Sequence, residues 1–102
     1  MNMYHVTSIE NLESIMKIGI APSYKNNGLM SKRDKKTYLT NSLKYIKIMA
    51  EDIAHWEQYV ILKVDADMDK LTLIWWKGKG YKEWTTNNII EPSRIKVFKL
   101  VI

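Results

Sequence analysis

Residues 4–23, YHVTSIENLESIMKIGIAPS, combine the end of a short strand, a helix start and a helix stop. A capping box, TSIE, begins at Thr7, and in such a box the threonine hydroxyl and the glutamate carboxylate bond to free N–H groups at a helix N-terminus. Apolar residues then recur at helical spacing as far as Gly19, and glycine commonly ends a helix in the left-handed conformation. The segment predicts a strand over residues 3–6 followed at once by a helix over residues 8–18.

The rest of the chain predicts one more helix and then strands. The second helix, capped by Asn41 or Ser42, is expected to run to about His55, because its apolar residues recur at helical spacing. The β-branched and aromatic segments 59–64 and 71–76 are expected to pair with each other as antiparallel strands. Further strands are predicted over residues 37–40, 83–86 and 95–102. Two main helices in the N-terminal half and a strand-rich second half are typical of an α+β fold.

Length and composition indicate one domain over residues 1–102. The apolar fraction of 46% and the charged fraction of 26% are ordinary for a globular chain. No apolar run approaches the ~18 residues that a membrane span needs, and nothing at the N-terminus resembles a signal peptide. Zero cysteines exclude disulfides, thiolate metal sites and cysteine nucleophiles. We therefore expect a cytoplasmic protein with no membrane partner.

The net charge of +5 comes from 14 lysines and two arginines, which together make the 16 basic residues. A surplus of lysine favours contact with polyanions such as nucleic acid, or with a phosphate-bearing cofactor. The same surplus also serves solubility, so charge alone leaves both interpretations open.

Two motif-like stretches do not carry the chemistry that they suggest. The aspartates at 65, 67 and 69 have the spacing of a calcium loop, but Lys70 stands where the loop needs glycine and Trp76 where it needs glutamate. The stretch GKG over residues 78–80 lacks the spacing and the hydroxyl residue of a phosphate-binding P-loop. No metal site is expected.

Three side chains remain as candidates for chemistry. His5 lies near the end of the first predicted strand and close to a helix N-terminus, a place that favours polar or anionic ligands. Tyr38 is central in the second short strand, and Glu83 follows a glycine-containing loop. Taken singly, each has an ordinary structural interpretation: a hydrogen-bonded histidine, a half-buried tyrosine and a solvated glutamate.

The order of these residues resembles a known family. The stretches YHVTSIENLESIMKIGIAP, TYLT and KEWTTNNIIEPSRIKVFKL are similar to the first, second and third motifs of the histidine-tyrosine-glutamate class of ADP-ribosyltransferase folds. The first stretch most resembles that of the DarT-type DNA ADP-ribosyltransferases. The resemblance touches about half of the chain in three separated blocks. It implies a split antiparallel sheet that holds NAD in a cleft, with NAD as the substrate and no metal.

The resemblance also implies roles for single residues. His5 would hydrogen-bond the nicotinamide-side ribose, Thr7 and the backbone of Val6 would hold the carboxamide, Tyr38 would stack on the nicotinamide ring, and Glu83 would be catalytic. A carboxylate on a ribose hydroxyl stabilises the positive charge that develops on the sugar in the transition state. The lysines at 77, 79 and 82 are expected to favour the anion of this carboxylate.

Departures from the family pattern bear on the acceptor. Tyr81 stands where arginine-modifying toxins of this fold carry Gln or Glu, which argues against arginine as acceptor. An arginine that the DarT-type enzymes use would at best correspond to Arg33, and the resemblance would then place Arg33 at the cofactor. Trp76, Lys79 and Tyr81 lie in the segment before the catalytic glutamate, where an acceptor would bind, and their composition suits bases and phosphates. A core tryptophan beside a solvated basic turn explains the same segment.

The resulting hypothesis is a minimal NAD-dependent mono-ADP-ribosyltransferase that modifies a nucleic acid or a protein, in a toxin-like or phage anti-defence context. The alternative is a non-catalytic module of the same fold that holds a nucleotide or a partner protein. RNA 2′-phosphotransferase chemistry is a lesser option, since two arginines give little bidentate phosphate binding. The acceptor and the oligomeric state stay open.

Overall fold

The computed structural model describes residues 2–22, 36–77 and 81–102, and within strands it leaves out the side chains of residues 74–77 and 81. These residues form an α+β fold. The strands are β1 (Asn2–Ser8), β2 (Thr37–Thr40), β3 (Tyr59–Asp65), β4 (Thr72–Lys77), β5 (Tyr81–Thr86) and β6 (Ile95–Val101). The helices are α1 (Leu12–Ile18) and α2 (Leu43–Lys47), and α2 continues as a π-helical turn, Ile48–Ile53.

The described strands form one antiparallel sheet in the order β4-β5-β2-β1-β3-β6. Side chains alternate between its two faces, and each face is covered by one helix. On one face, Leu39 and Leu62 pack with Ile15 of α1. On the other face, Val6 packs with Ile46 of α2. We call these the α1 side and the α2 side of the sheet.

The sheet is split between β1 and β2. Strand β1 pairs with β3 along its whole length. Among the described residues, it pairs with β2 at one position, where Tyr4 is opposite Thr40. The second half of the sheet is continuous again, because β2 pairs with β5 throughout. Beyond Tyr4 and Thr40 the two strands part, so the expected split antiparallel sheet is confirmed. None of the helices in the described part of the chain is long and apolar enough to cross a membrane.

The expected pairing of residues 59–64 with residues 71–76 is wrong. The first segment is β3, which lies between β1 and β6, and the second is β4, which pairs with β5 at the far edge. Burial explains the exchange, because β3 is apolar on both faces and needs a neighbour on either side. A 3₁₀ turn, Met68–Lys70, directs the chain away from β3 instead of closing a hairpin.

The predicted capping box does not form. Thr7 still belongs to β1, where it pairs with Val60, so the helical segment starts one residue later than the motif suggests. It opens as a 3₁₀ turn, Ile9–Asn11, with no side-chain bond at its N-cap, Ser8. The expected stop is confirmed, because Gly19 ends α1 with a φ of +91°.

The second helix begins and ends close to the expected positions, but its last turns are π-helical instead of α-helical. The Ser42 hydroxyl accepts a hydrogen bond from the N–H of Tyr45 at 3.1 Å, which makes Ser42 the cap. Its last turns widen, since the N–H of Ala54 donates to the carbonyl of Met49, five residues earlier. His55 then takes a left-handed φ of 56° and ends the helix.

Candidate functional site

The imidazole of His5 occupies the split between β1 and β2. Its Nδ1 lies 2.9 Å from the main-chain carbonyl oxygen of Tyr38, where a regular sheet would have a backbone hydrogen bond. A carbonyl oxygen only accepts, so Nδ1 carries the proton and donates it. The bond therefore fixes both the orientation of the ring and its tautomer, and it leaves Nε2 without a proton.

The environment of His5 keeps this imidazole neutral. Burial lowers the pKa of His5 from its ordinary value of 6.5, and the bond to the Tyr38 carbonyl opposes that shift only in part. No residue that the structure describes bonds Nε2. At neutral pH the His5 side chain thus offers one unprotonated nitrogen, which can accept a hydrogen bond from a hydroxyl group.

A cavity of about 230 Å³ opens beside His5 on the α1 side of the sheet. It lies between β1, α1 and the start of β2. Its described walls come from His5, Thr7, Asn11, Ser14, Ile15, Ile18, Gly19, Ile20, Ala21, Lys36 and Thr37. Apart from His5 and Lys36, its polar side chains carry hydroxyls or an amide, so it suits a hydroxyl-rich group of a ligand better than a bare ion.

Thr37, in the wall of this cavity, carries a buried hydroxyl that is unsatisfied among the described residues. Its side chain is 2% exposed, and its hydroxyl has no hydrogen-bond partner among the residues that the structure describes. A buried hydroxyl without a partner costs free energy, and native proteins rarely keep one without a reason such as a ligand or a bound water. Nothing in the sequence distinguishes Thr37, since a threonine in a strand gives no signal until its tertiary surroundings are known.

Thr7 and Val6 lie along the same edge of the split. The amide of Asn11 donates to the Thr7 hydroxyl oxygen at 2.9 Å. With this oxygen engaged as an acceptor, the Thr7 hydroxyl hydrogen remains a donor for a ligand in the cavity. Val6 turns its side chain into the cluster on the α2 side, so its backbone is the part that faces β2.

Glu83 is buried on the α2 side, one strand beyond Tyr38. It is 6% exposed, and the Tyr45 side chain hydrogen-bonds to it. Burial raises the pKa of Glu83, and the bond from Tyr45 counteracts the shift only partly. The expectation that lysines favour its anion is wrong for Lys82, which is exposed and next to Glu83 in the strand, hence on the opposite face. The side chains of residues 77 and 79 lie outside the described part.

The register shows which candidates come together. Glu83 is opposite Thr40, and Thr40 is opposite Tyr4, so all three face the α2 side. Tyr38 lies two residues from Thr40 and is therefore a diagonal neighbour of Glu83 on that face. His5 and its cavity belong to the α1 side. The split, spanned by the bond between His5 and the Tyr38 carbonyl, is where the two groups of residues meet.

The remaining candidates fall wholly or partly outside the described part of the chain. Arg33 and Lys79 lie outside the described residues. The backbones of Trp76 and Tyr81 belong to the β4–β5 pair, next to Glu83, but their side chains are not among those described. Their assigned contacts with the cofactor and the acceptor stay predictions.

Neither a model of a known protein family nor a curated protein matches the chain. The site itself and the resemblance of the three sequence motifs are therefore the basis for a functional assignment. In residues 2–22, 36–77 and 81–102 no group of three histidine, aspartate or glutamate side chains is arranged to hold a metal ion.

Proposed function

We propose that this protein is an NAD-dependent mono-ADP-ribosyltransferase that binds NAD across the split between β1 and β2. The observation that carries the proposal is the hydrogen bond from His5 Nδ1 to the Tyr38 carbonyl. It holds a neutral imidazole between strands that have parted, with Nε2 as an acceptor for a sugar hydroxyl. Of the three sequence motifs that resemble the histidine-tyrosine-glutamate class, the first supplies β1 and the second supplies β2, the two strands that meet at this bond.

Binding uses the polar groups of the cavity. A hydroxyl of the nicotinamide-side ribose donates to His5 Nε2, and the buried Thr37 hydroxyl, which has no partner among the described residues, bonds to a second polar group of the ligand. The Thr7 hydroxyl and the Val6 backbone take the carboxamide. Each of these bonds is made by a group that strand pairing or a neighbouring amide already holds in place, so little ordering is needed when NAD binds.

The chemical step breaks the bond between the ribose carbon and the nicotinamide nitrogen. The bonding electron pair leaves with nicotinamide, which departs as a neutral molecule, and positive charge develops on the ribose. Ionised Glu83 accepts a hydrogen bond from a ribose hydroxyl and stabilises this charge. The nucleophilic atom of the acceptor then bonds to the ribose carbon and loses a proton. Tyr45 supports this role, because a hydrogen bond donated to Glu83 favours its anion.

A second candidate is a module that binds NAD or a related nucleotide without turnover. The burial of Glu83 favours it, because this side chain is 6% exposed, has a raised pKa and lies on the face opposite the cavity. For catalysis the ligand has to reach through the split to the α2 side. For binding alone, the cavity on the α1 side is sufficient.

Turnover and binding of NAD distinguish the two candidates. The protein, incubated with NAD labelled in the nicotinamide ring, should release nicotinamide, and Glu83→Gln should reduce the rate by at least tenfold. Calorimetry should give the same heat of NAD binding for both proteins. Binding without release by the wild type selects the non-catalytic module, and neither binding nor release rejects both candidates.

A matched variant checks that the effect belongs to this position. Glu57 is an exposed glutamate in the segment between α2 and β3, remote in sequence from the three motifs. Glu57→Gln removes the same charge and should keep the wild-type rate. Circular dichroism of Glu83→Gln should match that of the wild type, since the amide has nearly the shape of the carboxyl group.

A further inference from the structure

A basic surface lies on the α2 side of the sheet, away from the cavity beside His5. It runs over β3, β6 and the exposed side of α2. We call it the lysine stripe, and it comprises Lys44, Lys47, Lys63, Lys96 and Lys99. None of these five lysines forms an ion pair with another residue that the structure describes.

The stripe brings like charges together at a cost. Lys63 on β3 stands directly opposite Lys96 on β6, and their register places both on the same face. Like charges in such a cross-strand pair destabilise a sheet. Lys44 and Lys47 are neighbours on one side of α2, where like charges three residues apart also repel. An anion bound between these pairs would remove both penalties.

Protection of the sheet edge explains only part of the stripe. β6 is an edge strand, and lysines on edge strands commonly prevent association with other chains. That reason accounts for Lys96 and Lys99. It does not account for Lys63, which is half-buried on an inner strand, or for the lysines of α2. The positive charge therefore extends beyond the edge that needs protection.

An aromatic ring lies between the lysines. Phe98 is 45% exposed, and its ring packs edge-on against Tyr4 with 5.3 Å between the ring centroids. It borders a groove of about 410 Å³ whose floor includes Leu43 and Ile61 and whose rim carries three lysines of the stripe. Tyr4 fixes the orientation of the Phe98 ring, so a flat ligand can stack on it without a large loss of side-chain freedom.

A second groove of about 340 Å³ continues the stripe toward the start of β6. Lys63, Lys96 and Arg94 border it, together with one carboxylate, that of Asp65. The Arg94 guanidinium donates to the main-chain carbonyl of Asp65 at 3.0 Å, which holds the arginine in place. Three cations against one carboxylate leave this groove positive as well.

We propose that the lysine stripe binds single-stranded nucleic acid, with phosphates on the lysines and a base on Phe98. Exposed lysines along a groove, with an aromatic ring among them, are the combination that single strands use, whereas a duplex keeps its base faces stacked. An acidic protein segment would use the charges but would leave Phe98 without a flat partner. This inference does not depend on the proposed reaction with NAD, and it concerns a surface other than the β4–β5 segment.

Fluorescence anisotropy with a labelled oligothymidylate of about 12 nucleotides tests the proposal. Lys47→Gln/Lys99→Gln should weaken binding severalfold and should lower the slope of log affinity against log salt by about 1.4, since each phosphate contact on a single strand contributes about 0.7. The matched control is Lys17→Gln/Lys70→Gln, which removes the same charge from exposed positions outside the stripe. It should change the slope much less.

Phe98→Leu separates stacking from charge. It should weaken binding of the oligothymidylate about fivefold or more and leave the salt slope unchanged. A duplex of the same length, and polyglutamate, should bind more weakly than the single strand to the wild type. The proposal would be overturned if the two double lysine variants lost the same affinity for the oligothymidylate, or if Phe98→Leu lost none. It would also be overturned if the wild type bound polyglutamate as tightly as the oligothymidylate. No NAD is present, so the result is independent of any turnover.

Discussion

The imidazole of His5 and the main-chain carbonyl of Tyr38 form a 2.9 Å hydrogen bond across the split in the sheet. One nitrogen of the ring thus holds β1 and β2 together, while the other remains an acceptor. In the proposed mode of NAD binding, the structural bond and the ligand therefore use different atoms of the same side chain. Substitutions can therefore separate the two roles.

His5→Asn should keep the structural role and lose the binding role. Its amide nitrogen can occupy the place of Nδ1 and donate to the Tyr38 carbonyl, but asparagine has no atom in the place of Nε2. We expect a free energy of unfolding within about 1 kcal/mol of the wild type and an affinity for NAD about tenfold lower, the worth of one hydrogen bond. Urea unfolding and calorimetry measure the two quantities. Unchanged affinity would contradict the role of Nε2, and His55→Asn serves as the control.

Thr37→Val should stabilise the protein while it weakens NAD binding. Valine has almost the shape of threonine and removes a buried hydroxyl that lacks a partner among the described residues. We expect a gain of about 1 kcal/mol in the free energy of unfolding without NAD, together with a loss of affinity for NAD. The control is Thr40→Val. The Thr40 hydroxyl donates to the Lys82 carbonyl at 2.8 Å, so its removal should cost about 1 kcal/mol or more. Equal destabilisation by both variants would show that the Thr37 hydroxyl already has a hydrogen-bond partner in the folded protein.

Glu83→Gln should change how stability depends on pH. Burial raises the pKa of Glu83 above its ordinary value of 4.5, so the folded protein keeps a proton that the unfolded chain releases. Protonated Glu83 therefore contributes most to the free energy of unfolding at or below pH 4.5. This contribution is lost as the pH rises through the pKa of Glu83 in the folded protein. The glutamine variant lacks this loss. Its free energy of unfolding, relative to the wild type, should increase as the pH rises from 4.5.

The measurement is urea unfolding at a series of pH values for both proteins. Taking the difference between them cancels the other ionisable groups, provided that they are unaffected by the substitution. A difference that stays constant above pH 4.5 would mean that Glu83 ionises as easily in the folded protein as in the unfolded chain. Activity over the same range should rise with pH, because the proposed reaction needs the ionised carboxylate.

Local patterns were enough to predict several elements of the fold. The segment TYLT matches β2, Thr37–Thr40, and the glycine after the first apolar helix face matches the end of α1. Both signals depend on chemistry within a few residues. The pairing of β3 and β4 depends on the whole sheet, because alternation of apolar residues shows which side chains share a face and not which strands are neighbours.

For the site, the sequence predicted which residues to consider but not their hydrogen-bond partners or their electrostatic surroundings. Sequence motifs pointed to His5, but the atom that it bonds, the Tyr38 carbonyl, became available only because β1 and β2 part. The lysines near Glu83 in sequence suggested an easily ionised carboxylate. The fold reverses this effect, since α2 covers Glu83 with Tyr45 and the strand turns Lys82 to the other face. Electrostatic surroundings of this kind follow from tertiary structure and not from sequence distance.

Gly19→Ala should destabilise the protein strongly, because this position joins α1 to the segment before β6. A Cβ atom at Gly19 would overlap the Ile90 carbonyl oxygen, and the φ of +91° is unfavourable for alanine. That carbonyl also accepts from the N–H of Ile20 at 3.0 Å, so it cannot move away without breaking the bridge between the two segments. We expect a loss of about 3 kcal/mol or more in the free energy of unfolding, measured with urea.

The control is Lys17→Ala, at an exposed position of α1, which should cost about 0.5 kcal/mol or less. A loss below about 1 kcal/mol for Gly19→Ala would mean that α1 does not approach Ile90 this closely. Gly19 and Ile20 would then lie elsewhere relative to the cavity beside His5.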